Sequence, residues 1–376
     1  MTNVFIPRDR RPGETRVAAT PETVRRMLKA GLEVSLERGA GAAAFFSDAA
    51  YETAGARLLD DAMAGWGSDV VLTVGPPQPA EAAALRSGAV LAGLLAPYRN
   101  PELVRQLADG GVTAFAMELI PRVTRAQGMD ALSSQASIAG YRAVLLAAMR
   151  IGKYFPLLMT AAGTVPPARV VVLGAGVAGL QAIATARRLG AVVEVSDIRA
   201  AVKEQVESLG GKFIELPEAM SGAGGEGTGG YAREMGEDFL RRQRALVTER
   251  LAAADVAITT ALVPGRPAPR LITREMVEAM RPGTVIVDLA VEQGGNCELS
   301  QADSEVVHNG VLILGPSNLA ATMPHDASSL YARNVLALLL HVLADGKPAI
   351  DTADEIVAGA LLTHGGQVQQ PEKKPA

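Results

Sequence analysis

The alternation of apolar runs and helical patterns is clearest between residues 170 and 197. The apolar run 170–173 predicts a buried parallel strand, and apolar positions at helical spacing in 180–189 predict the helix that follows it. A second apolar run, 192–195, predicts the next strand, and Asp197 follows its end. Strand, helix and strand in this order are typical of one βαβ unit of a parallel sheet.

Three glycines lie between the first strand and the helix. Gly174, Gly176 and Gly179 give the G-x-G-x-x-G spacing that binds dinucleotides when it joins a strand to a helix. The first permits the tight turn, the second lets a pyrophosphate approach the backbone, and the third lets helix and strand pack closely. Val177 and Ala178 lie where the helix N-terminus offers N–H groups to the phosphates. The alternative, a glycine-rich turn without a ligand, is less favoured because the second strand and its acid are also in place.

The residues after the second strand predict which dinucleotide binds. Asp197 lies 23 residues after Gly174, where a carboxylate can accept hydrogen bonds from the adenosine ribose. Its charge would repel a 2′-phosphate, so it favours NAD over NADP. Ile198 and Arg199 complete the predicted cofactor segment, and Arg199 is close enough to weaken this preference without reversing it.

Short apolar runs alternate with helices on both sides of this unit. They predict an α/β fold of two Rossmann-like domains with parallel sheets, the second a dinucleotide-binding domain, joined by a long helix at 135–155 that Ser133 and Ser134 cap. An apolar helix at 330–343 is predicted to return to the first domain. The predicted domains are residues 1–133 with 320–376, and residues 134–319. Further strands are predicted at 3–7, 33–37, 70–74, 89–95, 113–116, 256–260, 284–288 and 311–314.

Composition narrows the class of protein. The 376 residues suit two domains, and the net charge of −4 argues against a nucleic-acid partner. Cys297 is the only cysteine, which excludes a disulfide framework and fits a reducing cytosol. The N-terminus lacks an apolar signal core, and charged residues and a proline interrupt the most apolar long run, 143–165. We therefore expect a soluble, cytoplasmic protein that could dock on a membrane partner.

A glycine-rich segment interrupts the nucleotide domain. Residues 221–230 contain six glycines, and Tyr231 follows them. Two interpretations stay open, a passive linker and a mobile flap that closes over the nucleotide with Tyr231 as its contact.

The chain is poor in groups that transfer protons. A dehydrogenase of alcohols or amines needs a general acid/base, most often His or Lys, near the reacting carbon. The four histidines are His308, His325, His341 and His364, so the first three hundred residues have none. Only His308 and His325 are candidates, and both are weak.

Polar residues that could face the nicotinamide lie before the long helix. From spacing alone, a surface ion pair is an alternative explanation for the charged ones. Thr259, Thr260 and Asp288 follow strands, at the sheet edge where ligands of open α/β sheets bind. A nucleotide site without a proton-transfer group fits direct hydride exchange between two nicotinamides, which needs only positioning. The polar residues of the loop are Arg122, Arg125, Gln127, Asp130, Ser133 and Ser134.

From end to end the chain resembles the NAD(H)-binding domain of the proton-translocating nicotinamide nucleotide transhydrogenases. The matching segments are RVAATPETV (16–24), PRVTRAQGMDALSSQASIAGYRAV (121–144), VLGAGVAGLQAIATARRLGA (172–191), SDIRAAVKEQVESLGGKF (196–213), GGYAREM (229–235) and VDLAVEQGGNCE (287–298).

The resemblance implies an enzyme that transfers a hydride from NADH to NADP⁺ bound on a partner subunit, coupled to proton movement through a membrane subunit. It implies that Arg122, Asp130 and Ser133 hold the carboxamide region of the nicotinamide. Gln127 would reach toward the partner's NADP(H). The cofactor contacts that we expect are Gly174, Gly176, Val177, Ala178, Gly179, Asp197, Ile198, Arg199, Gly229, Tyr231, Thr260, Ala261 and Leu262.

The same resemblance implies the partners. We expect a homodimer that binds an NADP(H)-binding subunit and a membrane-spanning proton-channel subunit, at the cytoplasmic face of the inner membrane. The apolar excess of residues 334–344 suggests that helix as the dimer interface.

Alanine dehydrogenases share this fold and are the relatives to separate. An ungapped comparison places their Lys and His at Thr73 and Ala96 and their Asp at Glu292, while Arg16 is retained. These departures favour the transhydrogenase family. Two alternatives remain, an NAD-dependent amino-acid dehydrogenase with an unrecognised acid/base, and a non-catalytic NAD-binding regulatory module.

Overall fold

The computed structural model describes residues 1–215, 237–263 and 266–369. The chain divides into two compact units. Unit 1 comprises Met1–Gln135 and Ala320–Ala376, and unit 2 comprises Ala136–Leu319. Each unit has a central sheet with helices packed against it, so the predicted α/β class is confirmed.

The strands of the described residues are β1 (Thr2–Ile6), β2 (Leu32–Glu37), β3 (Arg57–Leu59), β4 (Val70–Leu72), β5 (Val90–Gly93), β6 (Thr113–Ala116), β7 (Leu158–Thr160), β8 (Gly163–Val165), β9 (Arg169–Leu173), β10 (Val192–Ser196), β11 (Lys212–Phe213), β12 (Val256–Thr259), β13 (Val285–Asp288), β14 (Glu305–His308), β15 (Val311–Leu314), β16 (Leu343–Ala344), β17 (Lys347–Pro348), β18 (Leu361–His364) and β19 (Gln367–Val368). The α-helices are α1 (Pro21–Lys29), α2 (Asp48–Ala54), α3 (Ala62–Gly65), α4 (Pro79–Ala83), α5 (Pro101–Asp109), α6 (Ala131–Arg150), α7 (Val177–Arg188), α8 (Lys203–Ser208), α9 (Glu237–Ala252), α10 (Arg274–Glu278), α11 (Pro324–His341) and α12 (Glu355–Ala360).

Unit 1 is built on an eight-stranded sheet in the order β19-β18-β6-β5-β4-β1-β2-β3. Strands β1 to β6 are parallel, so their carboxyl ends meet at one edge. The expectation of a purely parallel sheet was wrong at one side, because β18 runs antiparallel to β6 and forms a hairpin with β19. Gly365 and Gly366, both at positive φ, make the tight turn of that hairpin.

Unit 2 carries a seven-stranded sheet in the order β11-β10-β9-β12-β13-β15-β14. All its pairs are parallel except the pair of β14 and β15 at the edge. Asn309 and Gly310, at φ 50° and 78°, join these two strands. An Asn-Gly pair between apolar runs is a strong hairpin signal, so this antiparallel edge corrects a feature that the sequence contained.

The strand order of unit 2 reverses at β9, which pairs with β10 on one side and β12 on the other. Ligands of open α/β sheets bind outside the carboxyl ends of the strands at such a reversal. Strand β9, helix α7 and strand β10 lie where the sequence predicted them, so the glycine turn between β9 and α7 opens at this point.

The long helix α6 begins earlier than predicted, at Ala131, and ends at Arg150. The carboxylate of Asp130 accepts hydrogen bonds from the backbone N–H and the hydroxyl of Ser133, at 2.9 and 2.6 Å. Asp130 therefore caps the helix, and the prediction that Ser133 and Ser134 are the caps was wrong. Both serines lie within the first turn of α6.

Helix α11 lies in the core of unit 1. Tyr331, Val335, Leu336 and Leu339 are buried there against residues of the sheet such as Ile6. Burial inside the unit accounts for the apolar excess of residues 334–344, so that excess does not indicate a dimer interface. None of the helices in the described ranges combines the length and the apolar character that crossing a bilayer requires.

Candidate functional site

Two glycines of the turn between β9 and α7 are required by the packing of the protein itself. Gly174 has φ +103°, and a Cβ there would lie 2.7 Å from Oγ1 of Thr260. A Cβ on Gly179 would overlap the carbonyl oxygen of Gly174. Any side chain at either position would force the strand and the helix apart.

Gly176 has a different environment. A Cβ on this residue meets no protein atom within 4 Å, so packing within the described residues does not explain the glycine. Gly176 is the N-cap of α7 and makes no side-chain capping bond. The backbone therefore presents the first turn of α7, with Val177 and Ala178, to an approaching group. A pyrophosphate fits this position, because it accepts from such N–H groups and is favoured by the helix dipole.

The sequence analysis missed Gly140, which lies within α6. A Cβ at Gly140 would overlap the carbonyl oxygen of Ala178, so α6 packs directly on the first turn of α7. Glycine in a helix interior costs about 1 kcal/mol relative to alanine, which usually indicates a packing requirement. Gly140 therefore belongs to the support of the predicted phosphate site.

Asp197 follows β10 and buttresses the glycine turn. Its carboxylate accepts from the backbone N–H of Ala175 at 2.7 Å and from that of Arg199 at 2.9 Å. The guanidinium of Arg199 pairs with it, with 2.8 Å between Nη2 and Oδ2. Burial alone would raise the pKa of Asp197, but the hydrogen bonds from Arg199 and Ala175 outweigh burial and lower it. The residue is thus an ionised acceptor, with Ile198 between it and its cation.

The loop after β12 meets the same turn. Oγ1 of Thr260 donates to the carbonyl of Gly174 at 3.0 Å. Asn296 clamps Ala261 in two directions, accepting from its N–H at 3.0 Å and donating to its carbonyl at 2.9 Å. Leu262 is exposed beside them. Asn296 is fully buried and was not among the predicted site residues, because it is distant in sequence from the loop that it holds.

Asp288 has a structural role. It is fully buried and accepts from the Thr259 hydroxyl at 2.9 Å, the Ser300 hydroxyl at 2.6 Å, and the N–H groups of Ala290 and Cys297 at 2.9 and 3.0 Å. Its oxygens are therefore committed to the loop after β13 rather than directed to a ligand. Burial raises the pKa of the neighbouring Cys297 thiol to about 11, which keeps it protonated and unreactive at neutral pH.

The polar loop that precedes α6 lies in unit 1. Residues Thr124–Met129 form a 3-10 helix, with Ala126 and Met129 buried in the core. Arg122 and Gln127 are exposed, whereas Asp130 and Ser133 bond to each other at the start of α6. Arg125 lies 3.6 Å from Asp354, which matches the alternative of a surface ion pair for that residue.

Arg16 is bonded within unit 1. Its guanidinium pairs with Glu14, with 2.7 Å between Nη2 and Oε2, and donates to Oε1 of Gln135 at 2.8 Å. Burial would raise the pKa of Glu14, but the hydrogen bond and charge of Arg16 outweigh it and lower the pKa to about 2. Thr73 directly follows β4 and is buried, and Ala96 follows β5, so neither predicted alanine-dehydrogenase position offers an acid or base.

All four histidines have local partners. Nε2 of His308 lies 2.9 Å from Glu278, and His325 stacks on Phe46 with 4.8 Å between ring centroids. The other two histidines contact Asp354 and Thr113. No group of three or more potential metal ligands occurs in the part of the chain that the structure describes. The predicted flap, with Gly229 and Tyr231, lies outside the described residues.

The pattern of the two units matches two family models along nearly the whole chain. Residues 5–139 match the alanine dehydrogenase/PNT N-terminal domain, and residues 143–371 match the alanine dehydrogenase/PNT C-terminal domain. The chain belongs to the alanine dehydrogenase/PNT family. The family comprises two groups, so the identities to individual members of this alanine dehydrogenase/PNT family decide between them.

Similarity is highest on the transhydrogenase side. The chain is 51% identical to the first portion of the NAD(P) transhydrogenase subunit alpha of Rhodospirillum rubrum, which is a separate chain there, over 98% of both chains. It is 29% identical to the alanine dehydrogenase of Bacillus subtilis, over 97% of this chain and 92% of that one. A transhydrogenase structure from Sinorhizobium meliloti superposes with a TM-score of 0.89 at 48% identity, covering 97% of this chain and 99% of that chain. The predicted resemblance is therefore confirmed.

Proposed function

We propose that this chain is the NAD(H)-binding component of a proton-translocating NAD(P) transhydrogenase. The observation that carries the proposal is the glycine turn, where Gly176 leaves space above the start of α7 that no protein atom fills. Asp197, Thr260 and Ala261 surround the same strand ends. The 51% identity to a transhydrogenase alpha subunit supports this function over that of an alanine dehydrogenase.

NAD(H) is the cofactor that these residues fit. The N–H groups of Val177 and Ala178 would bind the pyrophosphate, and the Asp197 carboxylate would accept from the adenosine ribose. The ion pair with Arg199 leaves Asp197 ionised, which favours NAD(H) over NADP(H). Bound NADH supplies the hydride. Ile198, Leu262 and the residues outside the described ranges, Gly229 and Tyr231, complete the proposed cofactor contacts.

The loop before α6 carries the proposed hydride-transfer residues. From the family resemblance, Arg122, Asp130 and Ser133 hold the carboxamide region of the nicotinamide, and Gln127 contacts the NADP(H) of the partner. The hydrogen bonds between Asp130 and Ser133 keep both groups fixed at the start of α6. Such a site positions two nicotinamides and needs no general base, since a hydride passes directly from one carbon to the other.

The proposed partners follow from the same assignment. They are an NADP(H)-binding subunit and a membrane-spanning proton-channel subunit, which would hold this chain at the cytoplasmic face of the inner membrane. A second copy of the chain is the third. Exposed apolar side chains around the β7–β8 hairpin support a dimer surface in unit 2, and a monomer mass in sedimentation at micromolar concentration would refute it. These residues are Met149, Tyr154, Leu157 and Met159.

Reconstitution tests the proposed function. We expect the chain, mixed with a purified NADP(H)-binding transhydrogenase domain, to support hydride exchange between NADH and NADP⁺. Pyruvate and ammonia should not drive NADH oxidation by the chain alone, because Thr73 and Ala96 cannot serve as acid or base. The opposite pair of results would identify an amino-acid dehydrogenase, and NADH binding with neither reaction would identify a regulatory module.

A further inference from the structure

One buried amide in unit 1 contacts the loop that carries Gln127. Asn334 lies on α11 in an otherwise apolar stretch and is 8% exposed. Its Nδ2 donates to the carbonyl of Gly128 at 2.9 Å, and its Oδ1 accepts from the hydroxyl of Ser134 at 2.8 Å. The amide thus joins the residue after Gln127 to the first turn of α6.

The hydrogen bonds explain why an amide occurs in this helix. Burying an amide without partners costs about 1–3 kcal/mol, and Asn is a poor helix former compared with the leucines that follow it. Both polar atoms of Asn334 are satisfied by groups outside α11, so the residue serves the loop rather than the helix. The carbonyl of Gly128 only accepts, which fixes the orientation of the amide.

The loop needs such an anchor. Residues Thr124–Met129 form a six-residue 3-10 helix, longer than the three or four residues that are usual for this poorly bonded conformation. Gly128 is exposed, and a Cβ there would meet no atom within 4 Å, so packing does not restrain its backbone. Ala126 and Met129 attach the loop to the core through their side chains. Asn334 supplies the backbone restraint between them.

We propose that Asn334 is a positioning residue for hydride transfer, which holds Gln127 through the carbonyl of Gly128. The inference rests on the proposed function, because it assigns the loop to the transfer step. A displacement of reacting groups by about 1 Å can cost about a hundredfold in rate, so a restraint of this kind affects rate more than cofactor affinity.

Asn334→Asp separates the two hydrogen bonds. The carboxylate keeps the size of the amide and the acceptor for Ser134, but it cannot donate to Gly128. We expect amide hydrogen exchange in residues 124–130 to become about tenfold faster while the amides of β1 and β2 keep their protection. Hydride transfer in the reconstituted complex should fall about tenfold or more, with NADH affinity within about twofold of the unmodified chain.

Asn100→Asp is the matched control, because the Asn100 amide also donates to backbone carbonyls in unit 1, those of Leu95 and Ala96. It should change neither the exchange of residues 124–130 nor the transfer rate. If the charge introduced by Asn334→Asp prevents folding, Asn334→Ser removes the bond to Gly128 without a charge, and the same results are expected.

The results separate this inference from the proposed function. Failure of the unmodified chain to transfer hydride would contradict the proposed function, whereas hydrogen exchange would still measure the anchor. Unchanged exchange in residues 124–130 of the Asn334 variant would overturn the role of Asn334. An equal increase across all of unit 1, or a transfer rate that stays at the unmodified value, would overturn it as well.

Discussion

Gly140 packs its backbone against the carbonyl of Ala178, in the first turn of the helix that opens the predicted nucleotide site. A Cβ at position 140 would overlap that carbonyl oxygen. Gly140→Ala should therefore displace α6 from α7 at a cost of about 1–3 kcal/mol, expressed as a lower melting temperature and weaker NADH binding. Calorimetry and equilibrium NADH titration measure both effects.

Gly152→Ala is the control for that substitution, because a Cβ there meets no atom within 4 Å. It should leave both values unchanged. Full NADH affinity and full stability in the Gly140→Ala protein would show that the contact does not support the nucleotide site.

Asp197→Asn should weaken NADH binding and narrow the preference for NADH over NADPH. A hydrogen bond to a charged group contributes about 1.5–3 kcal/mol, and the neutral amide no longer repels a 2′-phosphate. Titration of both reduced nucleotides with both proteins measures the change. Equal affinities for NADH and NADPH in the unmodified chain would disprove the assignment of Asp197.

Glu14 should make stability depend on pH in the acid range. Its pKa is lowered from 4.5 to about 2 in the folded chain, so its ion pair with Arg16 stabilises the fold above pH 4.5. That contribution, about 3 kcal/mol, is lost as the pH falls from 4.5 toward 2, because the unfolded chain takes up the proton first.

Glu14→Gln tests this dependence. The variant should be less stable near neutral pH, and the difference from the unmodified chain should shrink between pH 4.5 and 2. Denaturant unfolding across that range measures it. A difference that stays constant with pH would exclude a titrating Glu14.

Gln127→Asn should leave NADH affinity nearly unchanged and greatly reduce hydride transfer to NADP⁺. The residue is exposed, and its proposed contact is with the partner subunit rather than with NADH. Equilibrium titration and stopped-flow transfer separate the two effects. Loss of NADH binding in proportion to rate, or loss of neither, would contradict the proposed role. Arg122→Ala is the comparison, and it should reduce both binding and transfer.

The nucleotide-binding unit was predictable because its determinants are local. Strand β9, the glycine turn, helix α7 and Asp197 occupy one continuous stretch whose periodicity and glycines are visible in sequence. The supports of this stretch were not predictable in the same way. Asn296 and Gly140 reach it from distant positions, and only a helix-interior glycine hinted at the second of them.

The same distinction applies to the loop before α6. Its polar residues were identifiable, but the helix start was misplaced because Ser133 and Ser134 were as good cap candidates as Asp130. The geometry decides, since the Asp130 carboxylate accepts from the N–H of Ser133. Asn334 lies about two hundred residues further along, and no local pattern connects it to Gly128.

The central claim is that this chain brings a hydride from NADH directly to a second nicotinamide. The most direct test uses NADH carrying deuterium at both C4 positions, in ordinary water, with the chain, an NADP(H)-binding transhydrogenase domain and NADP⁺. We predict that mass spectrometry of the NADPH product finds one deuterium per molecule, because no proton from solvent enters the transferred position. NADPH without deuterium, or no NADPH, would contradict the account.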